Sequence, residues 1–179
     1  MSLTTLAECK LHLRVDTSHE DTLISSLLAS AIDHFEQSTR RVLSSRAIVQ
    51  KLDELPDSKI IFLEKGPVVS VASVTVRTDS GTSTISANDY ITVTGQNETK
   101  PCIAFKQSAT LPTVDGYPAA VTINYTCETT TIPESINAAI RLLVAHWYEN
   151  RQAVGPTGGN EVPLAYASIA NKYLWGAYL

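Results

Sequence analysis

The stretch that decides the fold is Thr131-Ile-Pro-Glu-Ser-Ile-Asn-Ala-Ala-Ile-Arg-Leu-Leu-Val-Ala-His-Trp147, because it restores a helical period after a long β-rich segment. Pro133 is expected in the first turn of this helix, where its missing N–H costs no hydrogen bond. The apolar residues are spaced three and four apart, as on one face of a helix: Ile136, Ala139, Ile140, Leu143, Val144 and Trp147. The sequence therefore predicts a helix that buries one side.

Two more helices are predicted before the β-rich segment. A hydroxyl residue followed three positions later by an acid, the capping-box spacing, occurs at Thr5–Glu8, Ser18–Asp21 and Thr131–Glu134. The first helix, Thr5 to Arg14, is short and needs tertiary support. The second helix follows Ser18, and its apolar stripe has the same helical spacing: Leu23, Ile24, Leu27, Leu28, Ala31, Ile32, Phe35, Val42 and Leu43.

Residues 47 to 126 are rich in Val, Ile and Thr in short runs, which is typical of antiparallel strands. Asp79-Ser80-Gly81 has turn chemistry and predicts a hairpin. Val69 and Val71 alternate one residue out of step with the valines that follow, which predicts a β-bulge near Ala72-Ser73. The predicted strands are Ala47–Leu52, Lys59–Leu63, Val68–Arg77, Tyr90–Val93, Cys102–Phe105 and Val121–Thr126.

This order of elements predicts an α+β fold in one domain, residues 1–179, with a β lobe (residues 47–127) inserted into a helical unit. Gly155-Pro-Thr-Gly-Gly-Asn160 has the composition of a flexible link. The tail that follows regains a helical period, so residues 153–179 are expected to form a flexible link and a C-terminal helix. Because the tail is apolar and aromatic, it is expected either to pack on its own helices or to cover a partner.

Composition excludes several classes of protein. With 44% apolar residues and a net charge of −4, the chain is too apolar for a disordered protein and lacks the basic excess of a general nucleic-acid binder. No apolar run reaches the ~20 residues of a membrane-spanning helix. Cys9, Cys102 and Cys127 form no paired motif, so we expect reduced thiols in a cytoplasmic protein.

No motif for catalysis, metal binding or cofactor binding is recognisable. The glycine-rich link lacks the Gly-Lys-Ser/Thr of a P-loop, and there is no Gly-x-Ser-x-Gly. His146 and Glu149 share a helix face, but zinc takes three or four protein ligands, so His146 is expected to hydrogen-bond locally. His34 is expected on the solvated side of its helix. The sequence therefore predicts a binding protein that is not an enzyme.

Four stretches carry a family resemblance: Leu6-Ala-Glu-Cys-Lys-Leu-His-Leu-Arg-Val-Asp16, Glu20-Asp-Thr-Leu-Ile24, Gly66-Pro-Val-Val-Ser-Val71 and Ala139-Ile-Arg-Leu-Leu-Val-Ala-His-Trp-Tyr-Glu-Asn-Arg151. In this order and spacing, the chain resembles the head–tail connector, or adaptor, proteins of long-tailed double-stranded DNA phages and prophages. It departs from the family pattern at three turns. Thr39-Arg40-Arg41 replaces Thr-Gly-Arg, Asp53-Glu54-Leu55-Pro56 replaces Asp-Gly-Phe-Pro, and Leu111-Pro112 replaces Trp-Pro.

The resemblance implies a mechanical function. Such proteins form a ring of identical subunits beneath the portal of the filled head, dodecameric in the virion if it matches the portal symmetry. The ring extends the DNA channel and offers a platform to the next neck or tail-completion protein. DNA passes through the lumen without specific binding, and no membrane is involved. The implied location is the virion neck, after assembly in the bacterial host cytoplasm, and the mildly acidic charge suits a channel that repels DNA.

Interface residues are expected in two regions, because Trp, Tyr and Arg are enriched at protein contacts. The third helix would supply the core and part of the subunit contact through Arg141, Trp147, Tyr148 and Arg151. The tail would dock on the portal through Tyr173, Trp175 and Tyr178. Core packing is the simpler role for Trp147, which continues the apolar stripe, and Arg151 also fits a charge that answers the helix dipole.

Two other functions stay open at this point. One is a monomeric scaffolding module that binds a peptide along an exposed strand of the β lobe. The other is a small hydrolase or transferase whose site is assembled from loops, and such an enzyme would have a deep pocket where titratable groups converge.

Overall fold

The structure is a computed structural model that describes residues 2–94, 100–114, 116, 118–150 and 164–174. The described residues before Ser44 and after Thr129 make up one compact unit, the helical unit, and Ser44–Thr129 make up a second, the β unit. Helices therefore precede and follow a segment of antiparallel strands in the sequence. The predicted α+β fold class is confirmed.

Four helices form the helical unit: α1 (Leu6–Leu13), α2 (Asp21–Thr39), α3 (Glu134–Glu149) and α4 (Leu164–Lys172). The predicted capping box of α1 is confirmed, since the Glu8 N–H donates to the Thr5 hydroxyl (3.3 Å) and the Thr5 N–H donates to the Glu8 carboxylate (2.7 Å).

The other two predicted capping boxes are wrong. Helix α2 starts after Glu20, and α3 starts after Pro133, which is the N-cap and not a first-turn residue; neither has a side-chain cap. Both acids have stronger partners elsewhere. Asp21 accepts from the Lys10 ammonium at 2.6 Å, and Glu134 pairs with the Arg141 guanidinium.

Helix α2 ends earlier than its apolar stripe predicts. Arg40 adopts a left-handed conformation with φ +58°, which stops the helix at Thr39. The stripe residues Val42 and Leu43 are still buried, but in an irregular segment. The buried Glu36 carboxylate accepts the Leu43 N–H at 2.6 Å. This side chain therefore provides the hydrogen-bond acceptor that a helical carbonyl would have provided if α2 had continued.

The substitution Arg40→Gly is expected to raise the free energy of unfolding by about 1 kcal/mol. A Cβ in the left-handed region costs about 1 kcal/mol, and glycine avoids that cost. Arg40→Ala is the matched control, because it removes the side chain and keeps the Cβ, so we expect a change within about 0.5 kcal/mol. Urea unfolding measures both variants, and equal stabilities would contradict a backbone origin of the gain.

All four helices contribute to the core of the helical unit. The described part of the tail packs on the helices of its own chain, which is one of the two roles expected for it. Residues 164–174 fold back onto this unit, with Tyr166 and Ala170 buried. The link at residues 155–160, together with Trp175 and Tyr178, lies outside the described residues. The largest fully buried side chains of the unit are Ile24, Phe35, Ile136, Ile140 and Leu143.

The strands of the β unit are β1 (Arg46–Leu52), β2 (Ile60–Phe62), β3 (Val68–Thr78), β4 (Gly81–Thr84), β5 (Tyr90–Val93), β6 (Cys102–Phe105) and β7 (Val121–Cys127). In the described residues they form two antiparallel sheets, with strand orders β1-β7-β3-β4 and β2-β6-β5. The six predicted strands are present, and β4 completes the predicted hairpin. The pairing of β3 with β7 shifts between Val71 and Ser73, which confirms the predicted bulge, and shifts again between Val68 and Ser70.

A buried amide connects the two sheets. Gln50 on β1 donates from Nε2 to the carbonyl of Phe62 at the end of β2 (3.0 Å). Its Oε1 accepts the N–H of Glu64 (3.0 Å) and the hydroxyl of Tyr125 (3.5 Å). The Tyr125 hydroxyl in turn accepts the N–H of Lys65 at 3.3 Å. These bonds hold the end of the three-stranded sheet to the inner face of the four-stranded one.

Alkaline pH is expected to destabilise the protein through Cys127. Burial raises the pKa of this thiol from 9.0 to about 12, so the unfolded chain releases its proton first as the pH rises. The neutral, buried Cys127 thiol contributes its full stabilisation below the pKa of the unfolded chain. This contribution falls as the pH rises from the unfolded pKa towards the folded one. By about pH 10 the loss is on the order of 1 kcal/mol. Urea unfolding between about pH 8 and about pH 10 measures the slope.

Cys127→Ala is the control for this pH dependence. The variant is less stable at every pH because it leaves a cavity. Its stability is nevertheless expected to fall less steeply with pH than that of the wild type. Parallel slopes for the two proteins would contradict the assignment to Cys127.

Candidate interface surfaces

Arg141 on α3 is engaged within its own chain. Its guanidinium pairs with Glu134 and donates to the Thr4 hydroxyl at 3.4 Å. The buried Asn137 accepts the Thr4 N–H (3.0 Å) and donates to the carbonyl of Ser2 (3.0 Å). The hydrogen bond from Arg141 lowers the pKa of Glu134. Together, Arg141 and Asn137 fix the segment before α1 on the surface of α3.

Trp147 and Tyr148 lie half-buried near the end of α3. The Trp147 ring packs against the helical core and meets the His34 ring edge-on, with centroids 5.8 Å apart. With Leu23, Leu27 and Asn150, Trp147 lines an open notch of about 340 Å³. Tyr148 donates its hydroxyl to the Glu20 carboxylate before α2. The subunit contact predicted for these two residues stays a prediction, with their half-exposed surface available for it.

An aromatic cluster joins α2, α3 and α4. His34 is on the exposed side of α2 as expected, but its ring also lies 5.6 Å from the ring of Tyr166 on α4. Tyr166 meets Phe35 edge-on at 6.2 Å, and its hydroxyl lies 3.2 Å from the Ser38 hydroxyl. Burial raises the pKa of Tyr166. Sequence reasoning missed this cluster because its members are distant in the chain.

Tyr173 follows α4 and binds two other parts of the helical unit. Its hydroxyl lies 2.8 Å from the Ser135 hydroxyl at the start of α3. Its carbonyl accepts from Arg41 Nε at 3.0 Å, and the guanidinium lies 5.6 Å from its ring centre. Burial lowers the pKa of Arg41. Of the other candidates, Arg151, Trp175 and Tyr178 lie outside the described residues, and their roles stay predictions.

Sequence reasoning missed an exposed apolar surface on the β unit. The outer side of the sheet β2-β6-β5 has two apolar rows, Ile60–Ala104–Ile91 and Phe62–Cys102–Val93, which we call the apolar sheet face. Phe62 is 50% exposed and Ile91 57%, while Ile61 and Ile103 fill the opposite side. An antiparallel sheet with one solvated side normally alternates apolar and polar residues. The unbroken Ile60-Ile61-Phe62 was the signal in the sequence.

A pocket of about 520 Å³ adjoins this face, sharing Ile60 and Phe62 with it. Leu52 and Pro56 add apolar lining, and Gln50 and Ile61 complete the wall. The exposed carboxylates of Asp53, Glu54 and Glu64 also line the pocket, which we call the acidic pocket. Asp53 accepts the N–H of Ala119 at 2.8 Å.

On the helical unit, Leu11 of α1 is 80% exposed, and its neighbours His12 and Arg14 are exposed as well. We call Leu11, His12 and Arg14 the α1 knob. Its guanidinium is cationic, whereas the side chains at the rim of the acidic pocket are anionic. Leu164, at the start of α4, is 85% exposed.

The described residues show neither a clustered metal site nor a membrane-spanning helix. In the described part of the chain, no three His, Cys, Asp or Glu side chains lie together as a metal site would require, and no helix has the length and apolar character to span a membrane. The thiols of Cys9 and Cys127 are buried, and burial raises the pKa of both. The His146 ring makes the local contact expected of it, since its Nδ1 lies 3.4 Å from the side-chain nitrogen of Asn150.

Three solved structures share this fold over nearly the whole chain. The first, the neck of an empty GTA particle computed with C6 symmetry, has 24% identity and a TM-score of 0.78, covering 98% of this chain and 91% of that one. The second, the virion of a native gene transfer agent (GTA) particle, has 23% identity and a TM-score of 0.76, with the same coverage of 98% and 91%. The third, the neck of a native GTA particle computed with C12 symmetry, has 22% identity and a TM-score of 0.72, covering 100% and 96%. At these identities the likeness concerns the fold.

No curated protein matches the sequence. The family model for head completion proteins, in contrast, matches residues 2–162, a range that holds α1, both sheets and α3. This range also contains all four stretches that resemble phage connectors, and the resemblance is thereby confirmed. The chain belongs to the head completion protein family.

Proposed function

We propose that this protein is a structural connector in the neck of a phage or phage-like virion, where it forms a ring beneath the portal. The ring extends the DNA channel and carries the next neck or tail-completion protein. The observation that carries the proposal is the near full-length fold match to chains of GTA necks, combined with membership of the head completion family. Those necks were computed with C6 and C12 symmetry, so we expect twelve copies in the virion.

The surface of the subunit supports assembly. In a closed ring of identical subunits, one surface of each copy binds a different surface of the next copy. Each copy therefore needs two different binding surfaces. The helical unit offers the half-buried Trp147 and Tyr148, and the β unit offers the apolar sheet face. We assign Tyr173, Trp175 and Tyr178 to the portal contact, and Arg151 with the end of α3 to the subunit contact. Arg141 contributes through the N-terminal segment that it holds.

The protein acts by binding, without a catalytic residue, metal or cofactor. Membership of a family of structural virion components supports this assignment. The net charge of −4 suits a lumen through which DNA slides without specific binding.

Complementation of a phage or prophage that lacks this gene tests the function. Without the protein, we expect filled heads and separate tails in electron micrographs, and the wild-type chain should restore joined particles. Trp175→Ala with Tyr178→Ala should lower both the yield of joined particles and the capture of portal protein. Lys106→Ala, a change at an exposed residue, is the control and should restore joining fully. Joined particles without any copy of the protein would refute the proposal.

A further inference from the structure

We propose that neighbouring copies of this chain bind each other through the α1 knob of one copy and the acidic pocket, with its adjoining apolar sheet face, of the next. The inference rests on the proposed function: it adds α1 to the helical-unit side of the subunit contact, in addition to the α3 residues assigned above, and it names the pocket that receives α1. It commits to a second copy of this chain as the occupant of the pocket.

The apolar sheet face has the chemistry of a protein-binding surface. All six of its side chains are apolar, and they form two aligned rows across three strands. Contiguous apolar surface of this kind marks protein-binding sites on soluble proteins. The core-facing side of the same sheet already buries Ile61, Ile103 and Phe105. The fold of the β unit therefore does not depend on the two outward-facing rows.

The charges around the pocket select a cationic partner. Asp53, Glu54 and Glu64 place three carboxylates around apolar lining. Lys100 of the same chain holds its ammonium 4.7 Å from the centre of the Phe62 ring, so the three carboxylates, and not this ring, are the groups left to attract a cation of the partner. A leucine flanked by basic groups would match both the apolar lining and the charge of the pocket.

The α1 knob has this chemistry. Leu11 is the apolar centre, while Leu6 and Leu13 of the same helix pack against the helical core. His12 and Arg14 are exposed beside it. The one acid in α1, Glu8, is held in the capping box by the N–H and the hydroxyl of neighbouring threonines. The knob therefore presents the Arg14 guanidinium and the His12 imidazole beside an exposed leucine.

The contact joins two different faces, so each copy uses its knob on one neighbour and its pocket on the other. Such a heterologous contact repeats from copy to copy and closes into a ring when the rotation allows. Because the contact includes ion pairs near solvent, we expect it to weaken as salt is added.

Charge reversal on each face tests the contact. The pocket variant carries Glu54→Lys and Glu64→Lys, and the knob variant carries His12→Glu and Arg14→Glu. Native mass spectrometry and light scattering over a concentration series should show association of the wild type, and about tenfold or greater weakening for either variant alone. The control is Asp33→Lys, a reversal at an exposed residue of α2, which should associate like the wild type.

Mixing the two variants gives the sharper result. The basic pocket of one variant accepts the acidic knob of the other, and the remaining two faces keep their wild-type charges. An equimolar mixture should therefore assemble in alternation, although neither variant assembles alone. Circular dichroism and urea midpoints equal to those of the wild type show that the variants are folded. Phe62→Asp should also abolish association.

Three outcomes would overturn this inference: a wild type that stays monomeric at every concentration, reversed variants that associate like the wild type, or a mixture that fails to assemble. Complementation separates it from the proposed function. If both reversed variants join heads to tails as well as the wild type does, the contact is wrong and the function stands. If the wild type itself fails to join them, the function is wrong whatever the association shows.

Discussion

Tyr166→Ala is expected to lower the free energy that holds α4 on the helical unit by about 3 kcal/mol. The ring is buried, meets Phe35 edge-on and lies against His34, so its removal leaves a cavity between α2 and α4. The hydroxyl also loses its contact with Ser38. Because α4 is a single short helix, we expect it to detach before the other three helices unfold.

Hydrogen exchange of the amides of residues 164–172 measures this effect. A loss of about 3 kcal/mol corresponds to exchange about a hundredfold faster. Two matched variants divide the effect into parts. Tyr166→Phe removes only the hydroxyl and should cost about 1 kcal/mol, and Leu164→Ala changes an exposed side chain and should cost less than about 0.5 kcal/mol. Similar exchange rates for Tyr166→Ala and Leu164→Ala would show that α4 is held by other contacts.

Gln50→Leu is the second large effect and concerns the β unit. Leucine fills most of the space of glutamine but makes no hydrogen bonds. The carbonyl of Phe62 and the N–H of Glu64 would lose the partner that the structure gives them. Each buried group left without a partner costs about 1–3 kcal/mol, so we expect a loss of about 3 kcal/mol in total.

Urea unfolding followed by circular dichroism measures this loss. Val49→Ala, at the adjacent outward-facing position of β1, is the control and should change stability by less than about 0.5 kcal/mol. Tyr125→Phe removes one arm of the same network and should have an intermediate effect, on the order of 1 kcal/mol. A wild-type stability for Gln50→Leu would contradict the bridging role of the amide.

Local patterns predicted the elements of this fold with good accuracy. The three- and four-residue spacing in α2 and α3 and the period-two spacing in the strands depend only on which face of an element is buried. The bulge at Val71 to Ser73 was visible because alternation slips by one residue there. The capping box of α1 was also predicted, since Thr5 and Glu8 lie close enough to bond within one turn.

The wrong predictions share one cause, which is competition from partners that the capping-box and stripe patterns do not include. Asp21 and Glu134 have the spacing of caps, but Lys10 and Arg141 offer them ion pairs. The apolar stripe of α2 continues to Leu43, yet the helix stops because Arg40 turns left-handed and Glu36 bonds the Leu43 N–H. The family pattern given above, Thr-Gly-Arg, has glycine at the position that Arg40 occupies here. Glycine would adopt the left-handed conformation at this position without strain.

The sequence by itself determined the element types, their order and the family, because periodicity, turn chemistry and motif spacing are local properties of the chain. The tertiary structure alone decided where α4 packs, how Gln50 joins two sheets, and which apolar side chains stay exposed. Ile60 and Phe62 are as apolar as Ile61, and only the pairing of β2 with β6 shows that they face outward. Exposure depends on which strands and helices meet, and no single segment of sequence contains that information.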